Sequence, residues 1–218
     1  MTTQPSVEGP FLVLLVLAHL QAIAVAWALA LASGRGLPRL RERLPGGGSA
    51  CLGLAFAAFG LAALAETLDH TTTRWLYVNH TSPWNALFFS ALAAGIALLS
   101  AALSASRRLR LVLGALVIAG AAGYMAFGKG AAIASQTLLL LVMLRLWWRA
   151  FGDRRLWLYP LFTVGLTTLF GALLNTSGDQ IWHLFIGPAG SLSLLVLWAI
   201  LRRAEQTPQG PGEGSVAA

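Results

Sequence analysis

Two short patterns hold the ionisable residues best placed to do chemistry: Glu66 with His70, and Asp179 with His183, each an acid four positions before a histidine. Four residues are just over one helical turn, so on a helix both side chains of a pair project from one face. Neutral imidazole and carboxylate groups suit Zn²⁺, and three protein ligands plus one water make the arrangement of a catalytic zinc. On that pattern His70, Asp179 and His183 are the expected metal ligands. Glu66 is the expected catalytic base on the bound water, and Asp69 or His80 the group that orients a ligand or donates a proton. The ion would bring the pKa of its water toward about 7 and polarise a carbonyl. If His70 and His183 share one ion at about 2 Å, their nitrogens must lie within about 4 Å of each other.

The elements that carry these residues are set by composition. The chain has 218 residues, 57% of them apolar and only 11% charged, which excludes an ordinary water-soluble globule with its roughly 25% of charged residues. A helix needs about 20 apolar residues to cross a hydrocarbon core, because lipid offers the backbone no hydrogen-bond partners. Seven runs qualify, at about 11–32, 50–68, 84–103, 109–127, 131–148, 156–174 and 181–201. They are rich in Leu and Ala and lack the alternation of barrel strands, so the expected fold is an all-α, seven-helix polytopic membrane bundle. Residues 1–203 form its single domain, 35–48 a Gly/Pro/Arg cytoplasmic loop, and 204–218 a disordered cytoplasmic tail. The first apolar run is too long for a cleaved signal and is read as a span.

Arginine sets the orientation. Thirteen of the fifteen basic residues follow runs one, three, five and seven, from Arg35 through Arg107 and Arg145 to Arg203, and only Arg74 and Lys129 fall on the other side. Basic residues in short loops stay in the cytoplasm, so the N-terminus lies outside and the C-terminus inside, in a plasma or inner membrane. Trp147, Trp148, Trp157 and Tyr159 then mark the inner interface, and Trp75, Tyr77 and Trp84 the outer. All four histidines fall in the outer half or near the midplane, and so do Glu66, Asp69 and Asp179. Asn85, Tyr124, Gln136 and Asn175 are polar groups on the same side that can bond into a site there. Small residues such as Gly53, Gly60, Gly114, Gly120 and Gly165 are read as helix-packing positions.

Simpler readings stand beside the metal site. An acid and a histidine one turn apart can form a local ion pair, Asp179 can cap a helix after Thr176, Ser177 and Gly178, and His80 and Asp69 can be solvated loop ends. Glu66 and His70 sit in an apolar run, where an ionisable side chain is expensive and marks function by default. His19, with Gln21 close by, is read as bonding a neighbouring helix rather than joining the site.

The arrangement resembles the alkaline ceramidase and progestin/adipoQ-receptor-like superfamily of seven-helix membrane hydrolases. That family builds a buried zinc site from a Ser-x3-His pair late in helix two, an Asp early in helix three and a His-x3-His pair in helix seven. The corresponding positions here read Glu66-x3-His70 and Asp179-x3-His183, with Thr81 and Asn85 the polar residues nearest the start of helix three. The resemblance implies zinc-dependent hydrolysis of a lipid-like amide or ester at the outer side of the membrane.

Two other functions fit the same residues. One is a non-enzymatic sensor or receptor with an outer polar pocket, its arginine-rich inner loops meeting a partner. The other is a proton-coupled carrier, disfavoured because the inner halves of the spans hold almost no ionisable residues. A retinal Schiff base is excluded, since Lys129, the one lysine, lies in an outer loop, and a single cysteine, Cys51, excludes a multi-thiolate metal site. The arginines are spread over juxtamembrane loops, so the expected partners are membrane lipids and not nucleic acid.

Overall fold

The computed structural model describes residues 7–74, 81–152, 154–177 and 180–206. In chain order these form α1 (Gly9–Arg35), a short α2 (Pro38–Arg43), α3 (Gly48–Thr73), α4 (Pro83–Ala102), α5 (Arg107–Phe127) and α6 (Lys129–Phe151). A 3-10 turn (Arg154–Trp157), α7 (Leu158–Ser177), a second 3-10 segment (Gln180–Phe185) and α8 (Ile186–Gln206) follow. Proline opens α1, α2 and α4, where its fixed φ suits the first turn and its missing N–H removes a donor that has no intrahelical partner. Ser106 caps α5 by accepting the Leu109 N–H at 3.3 Å.

Among the described residues six helices are long and apolar enough to span a membrane, and α7, free of acidic and basic residues, supplies the remaining expected run. The described residues contain helices and no strand, as the apolar runs require. Outward faces are apolar: Leu31, Ile118 and Phe127 are 77%, 71% and 84% exposed, a surface suited to lipid rather than water.

α3 is the central helix and packs most extensively on α1 and α4, with α8 against α1 and α5 and α6 against α4. The main core fills the inner half: Leu52, Ala55 and Phe56 of α3 meet Ala26 and Leu29 of α1, Leu99 of α4, and Leu197 and Leu201 of α8. Trp147 and Tyr159, expected at the inner interface, belong to this core instead; Trp147 is buried and donates its indole N–H to the Leu99 carbonyl at 3.3 Å. Trp148 and Trp157 stay exposed, whereas Trp75 and Tyr77 lie outside the described residues. Gly60 does pack, since a Cβ there would collide with the Trp27 ring, but Gly114 and Gly165 face open space and are not packing positions.

Two inner-side expectations change. The 35–48 connection is not simply a loop, because α2 forms within it, and α8 does not stop at 203 but continues to Gln206 with Ala204 and Glu205 buried. One contact explains both. The Glu205 carboxylate accepts the backbone N–H groups of Arg39 at 2.9 Å and Leu40 at 2.6 Å, which are orphan donors at the positive end of α2. Arg43 donates to the Ala204 carbonyl, closing the clamp from the other side. Arg41, Arg202 and Arg110 reach the carbonyls of Gly34, Gly36 and Gly46, so several orientation-setting arginines also hold the inner chain ends together. Residues 207–218 lie outside the described part of the chain.

Candidate functional site

At the outer ends of the helices the packing becomes polar. Glu66 and His70 lie seven and three residues before the end of α3, about 10 Å and 5 Å along its axis. Their four-residue spacing puts them on one face. That face meets α1, which brings His19, and the 3-10 segment ahead of α8, which brings His183. Gly187 allows the approach: a Cβ there would stand 2.6 Å from the Ala18 carbonyl oxygen, so the start of α8 lies directly on the α1 backbone beside His19. One turn further on, the Ser191 hydroxyl donates to Gln21 Oε1 at 3.1 Å and fixes the same pair of helices.

The result is a compact cluster. His70 Nε2 and His183 Nε2 are 3.0 Å apart, with ring planes at 87°, and His19 Nε2 is 3.3 Å from Glu66 Oε2. One donor atom from each of His19, Glu66, His70 and His183 can be chosen so that all lie within 4.8 Å of one another. His19 is 1% exposed, His70 4% and His183 7%, and Glu66 is partly buried.

The orientation of His19 follows from its second nitrogen. Nδ1 lies 2.8 Å from the Leu15 carbonyl oxygen, which can only accept, so Nδ1 carries a proton. In the neutral ring Nε2 then presents a lone pair to the cluster. His19 Nε2 makes no hydrogen bond, although Glu66 stands within ion-pair distance, and His183 Nδ1 makes none either. A carboxylate facing three imidazoles is a setting that favours a cation, and these four side chains are the described residues able to hold a metal ion together.

The expected site residues separate. Glu66, His70 and His183 come together, and His70 and His183 meet the 4 Å condition with room to spare. His19, read from sequence as a partner for a neighbouring helix, joins them. Its signal was present in the sequence, as an ionisable residue deep in an apolar span at the depth of the other histidines. Asp69, expected to assist from within the site, is turned away: the Ser82 hydroxyl donates to Oδ1 and the Asn85 amide to Oδ2 at 2.9 Å, both from the start of α4 or its cap. Gln136 donates to the Phe89 carbonyl at 3.0 Å and Tyr124 stacks on the Phe89 ring, so neither lines the cluster. Asp179 and His80, together with the side chain of Asn175, lie outside the described residues.

Comparison with known proteins corrects the family resemblance. No curated protein and no solved structure matches the chain. A family model described as "Seven transmembrane receptor" matches residues 11–207, from the first span to the end of the last. The match overturns the resemblance to ceramidase-like hydrolases, which rested on two short motifs with an acid in place of Ser or His in each. The chain is an integral, multi-pass, receptor-like membrane protein, and it belongs to this seven transmembrane receptor family.

Proposed function

We propose that the protein is a non-enzymatic membrane receptor that takes its signal in the chamber of His19, Glu66, His70 and His183 and passes it to the cytoplasmic face through α8. The observation that carries this reading is the span of one rod. His183 enters the chamber immediately before α8 begins, and Glu205, at its other end, holds the backbone of α2 on the inner side. A ligand that binds one placement of His183 better than another biases the position of α8, and only such differential affinity can move the equilibrium. The element it moves is a clamp of two hydrogen bonds amid arginines, a surface suited to an acidic partner or to anionic head groups.

The test perturbs the chamber by mutation, so the signal itself need not be supplied. Hydrogen–deuterium exchange is measured in nanodiscs on wild type, Glu66→Gln and His183→Ala, following the amides of residues 37–44 against those of α5. The receptor reading expects altered protection of Arg39 and Leu40, roughly 30 Å along α8 from the chamber, with α5 unchanged. Unchanged exchange in α2, in variants that keep the bundle folded, overturns it.

A further inference from the structure

We infer that the chamber is a binding site for a late first-row divalent metal ion, with zinc as the matched ion, ligated by Nε2 of His19, His70 and His183 and by the carboxylate of Glu66. The inference deepens the receptor reading by naming the chemical class of what occupies the chamber, and it rests on that reading only for the consequence of binding, not for binding itself.

Geometry is the first support. Tetrahedral ligands about 2.0–2.1 Å from one ion stand about 3.3 Å from each other. The His70–His183 pair at 3.0 Å and the His19–Glu66 pair at 3.3 Å already have that spacing, and the widest separation in the set of four is 4.8 Å. Gathering both pairs around a common centre requires side-chain rotations that draw the widest separation in by about 1.5 Å. The ligands come from α1, α3 and the 3-10 segment before α8, so a single ion would join three elements that are distant in sequence.

The second support is the state of His19. Its Nδ1–H is committed to the Leu15 carbonyl, which is the outer-sphere contact that fixes the tautomer and ring angle of a metal-bound histidine. Its other nitrogen, in a residue 1% exposed, points into the cluster and makes no hydrogen bond. It faces the Glu66 carboxylate at 3.3 Å, where a neutral nitrogen's lone pair meets a negative charge, and a cation between the two satisfies both. The two imidazole Nε2 atoms facing each other at 3.0 Å share one proton as a hydrogen bond in the metal-free chain, and a bound ion would take that proton's place between them.

Donor chemistry selects the ion. Three imidazoles, which are borderline ligands, with one hard carboxylate make a nitrogen-rich set that suits Zn²⁺ and its neighbours, whereas Ca²⁺ and Mg²⁺ require shells of oxygen. Glu66 offsets one of the two positive charges inside an apolar bundle, which lowers the expense of holding the ion there.

The experiment measures metal in the full chain, purified in detergent without chelator and then dialysed against zinc, by elemental mass spectrometry. Wild type should hold about one zinc per chain, His19→Ala and His183→Ala at least about tenfold less at the same free zinc, and Gln136→Ala, outside the cluster, the wild-type amount. Because a histidine variant can fail to fold, wild type is also stripped and reloaded with Co²⁺. Intense visible bands of a four-coordinate ion support the site, and the weak spectrum of hydrated six-coordinate Co²⁺ overturns it. Folded wild type that takes up no zinc, or variants that retain it, overturn it equally. The two proposals fail separately. Zinc bound with no change in α2 exchange on mutation leaves the metal site standing without the receptor, and altered α2 exchange in a protein that binds no metal does the reverse.

Discussion

Glu66 and Asp69 are carboxylates three positions apart on the outer end of α3, and they have opposite surroundings. Asp69 is 1% exposed and faces α4, where Ser82 and Asn85 donate one hydrogen bond to each oxygen. Glu66 faces α1 and α8, where every polar neighbour in the cluster is an imidazole and the nearest, His19 Nε2, makes no hydrogen bond. A carboxylate satisfied by neutral, fixed donors stabilises a fold and has little left to offer a ligand. A carboxylate among ring nitrogens that can each gain or lose a proton or bind an ion remains responsive. The two groups therefore divide the outer end of the bundle into a structural joint between α3 and α4 and a histidine-rich polar cluster between α3, α1 and α8.

Asp69→Ala breaks the joint and should have the largest effect on stability. It leaves the Ser82 hydroxyl and the Asn85 amide without the acceptor they now share, in a setting with little water to replace it. The expected loss is about 3 kcal/mol, read by equilibrium unfolding in mixed micelles. Zinc stoichiometry of the folded fraction should not change. A loss below about 0.5 kcal/mol would mean that Asp69 is not the anchor its hydrogen bonds describe.

Gly187→Ala attacks the chamber from the backbone side. The added methyl meets the Ala18 carbonyl at 2.6 Å, so α8 must move off α1 or the helix must distort, at an expense of about 2 kcal/mol. Unlike Asp69→Ala, this substitution should also separate His183 from His19 and weaken zinc binding. Unchanged zinc retention would show that the chamber does not depend on this close approach.

The contrast between the carboxylates also marks the limit of what a sequence discloses. The spans were legible because an apolar run of about twenty residues has one stable use in lipid, and the arginines that follow alternate runs then fix which end is inside. Glu66 and His70 were legible as candidates because an acid and a histidine four apart share a helical face wherever the helix packs, whereas His183, singled out by the same spacing from Asp179, enters the cluster from a 3-10 segment. Which neighbour that face meets was not. Glu66 was read from sequence as an ionisable group inside an apolar run and Asp69 as an assisting group or a solvated loop end, but that Asp69 is buried against α4 while Glu66 faces α1 and α8 follows only from the placement of those helices. His19 had no spaced partner to draw attention to it, since its partners come from other helices. α2 was invisible for a related reason: six residues with three arginines do not nucleate a stable helix alone, and the carboxylate that caps them is 165 residues away. The hydrolase resemblance failed because two four-residue spacings, each with an acid where that family has Ser or His, are too short to specify a family.

Glu205→Ala tests that inner clamp. Two N–H groups at the start of α2, that of Leu40 in a buried contact, lose their acceptor, so the expected loss is about 1.5 kcal/mol, within the range of helix-cap deletions. Exchange of the Arg39 and Leu40 amides should rise well beyond that of the core helices. Amides that stay protected would mean that α2 is held by Leu40 burial and not by the carboxylate.

Glu66→Gln should have the smallest effect on stability and gives the sharpest form of the comparison. The amide keeps the shape of the side chain and removes a charge that is expensive to hold in an apolar bundle, so the metal-free protein should lose less than about 1 kcal/mol, or gain slightly. Asp69→Ala, three positions away, is expected to lose several times as much. With zinc present the order reverses in what the substitution takes away. Binding to the folded state alone stabilises by RT ln(1 + [L]/Kd), so zinc at about 100 times its Kd raises wild-type stability by about 2.7 kcal/mol. Glu66→Gln removes one ligand and the negative charge that draws in a cation, so the zinc-dependent rise in unfolding midpoint should shrink sharply, while in any folded Asp69 variant it should persist. An equal zinc response in Glu66→Gln and wild type would place Glu66 with Asp69, as a second structural carboxylate, and leave the three histidines to bind without it.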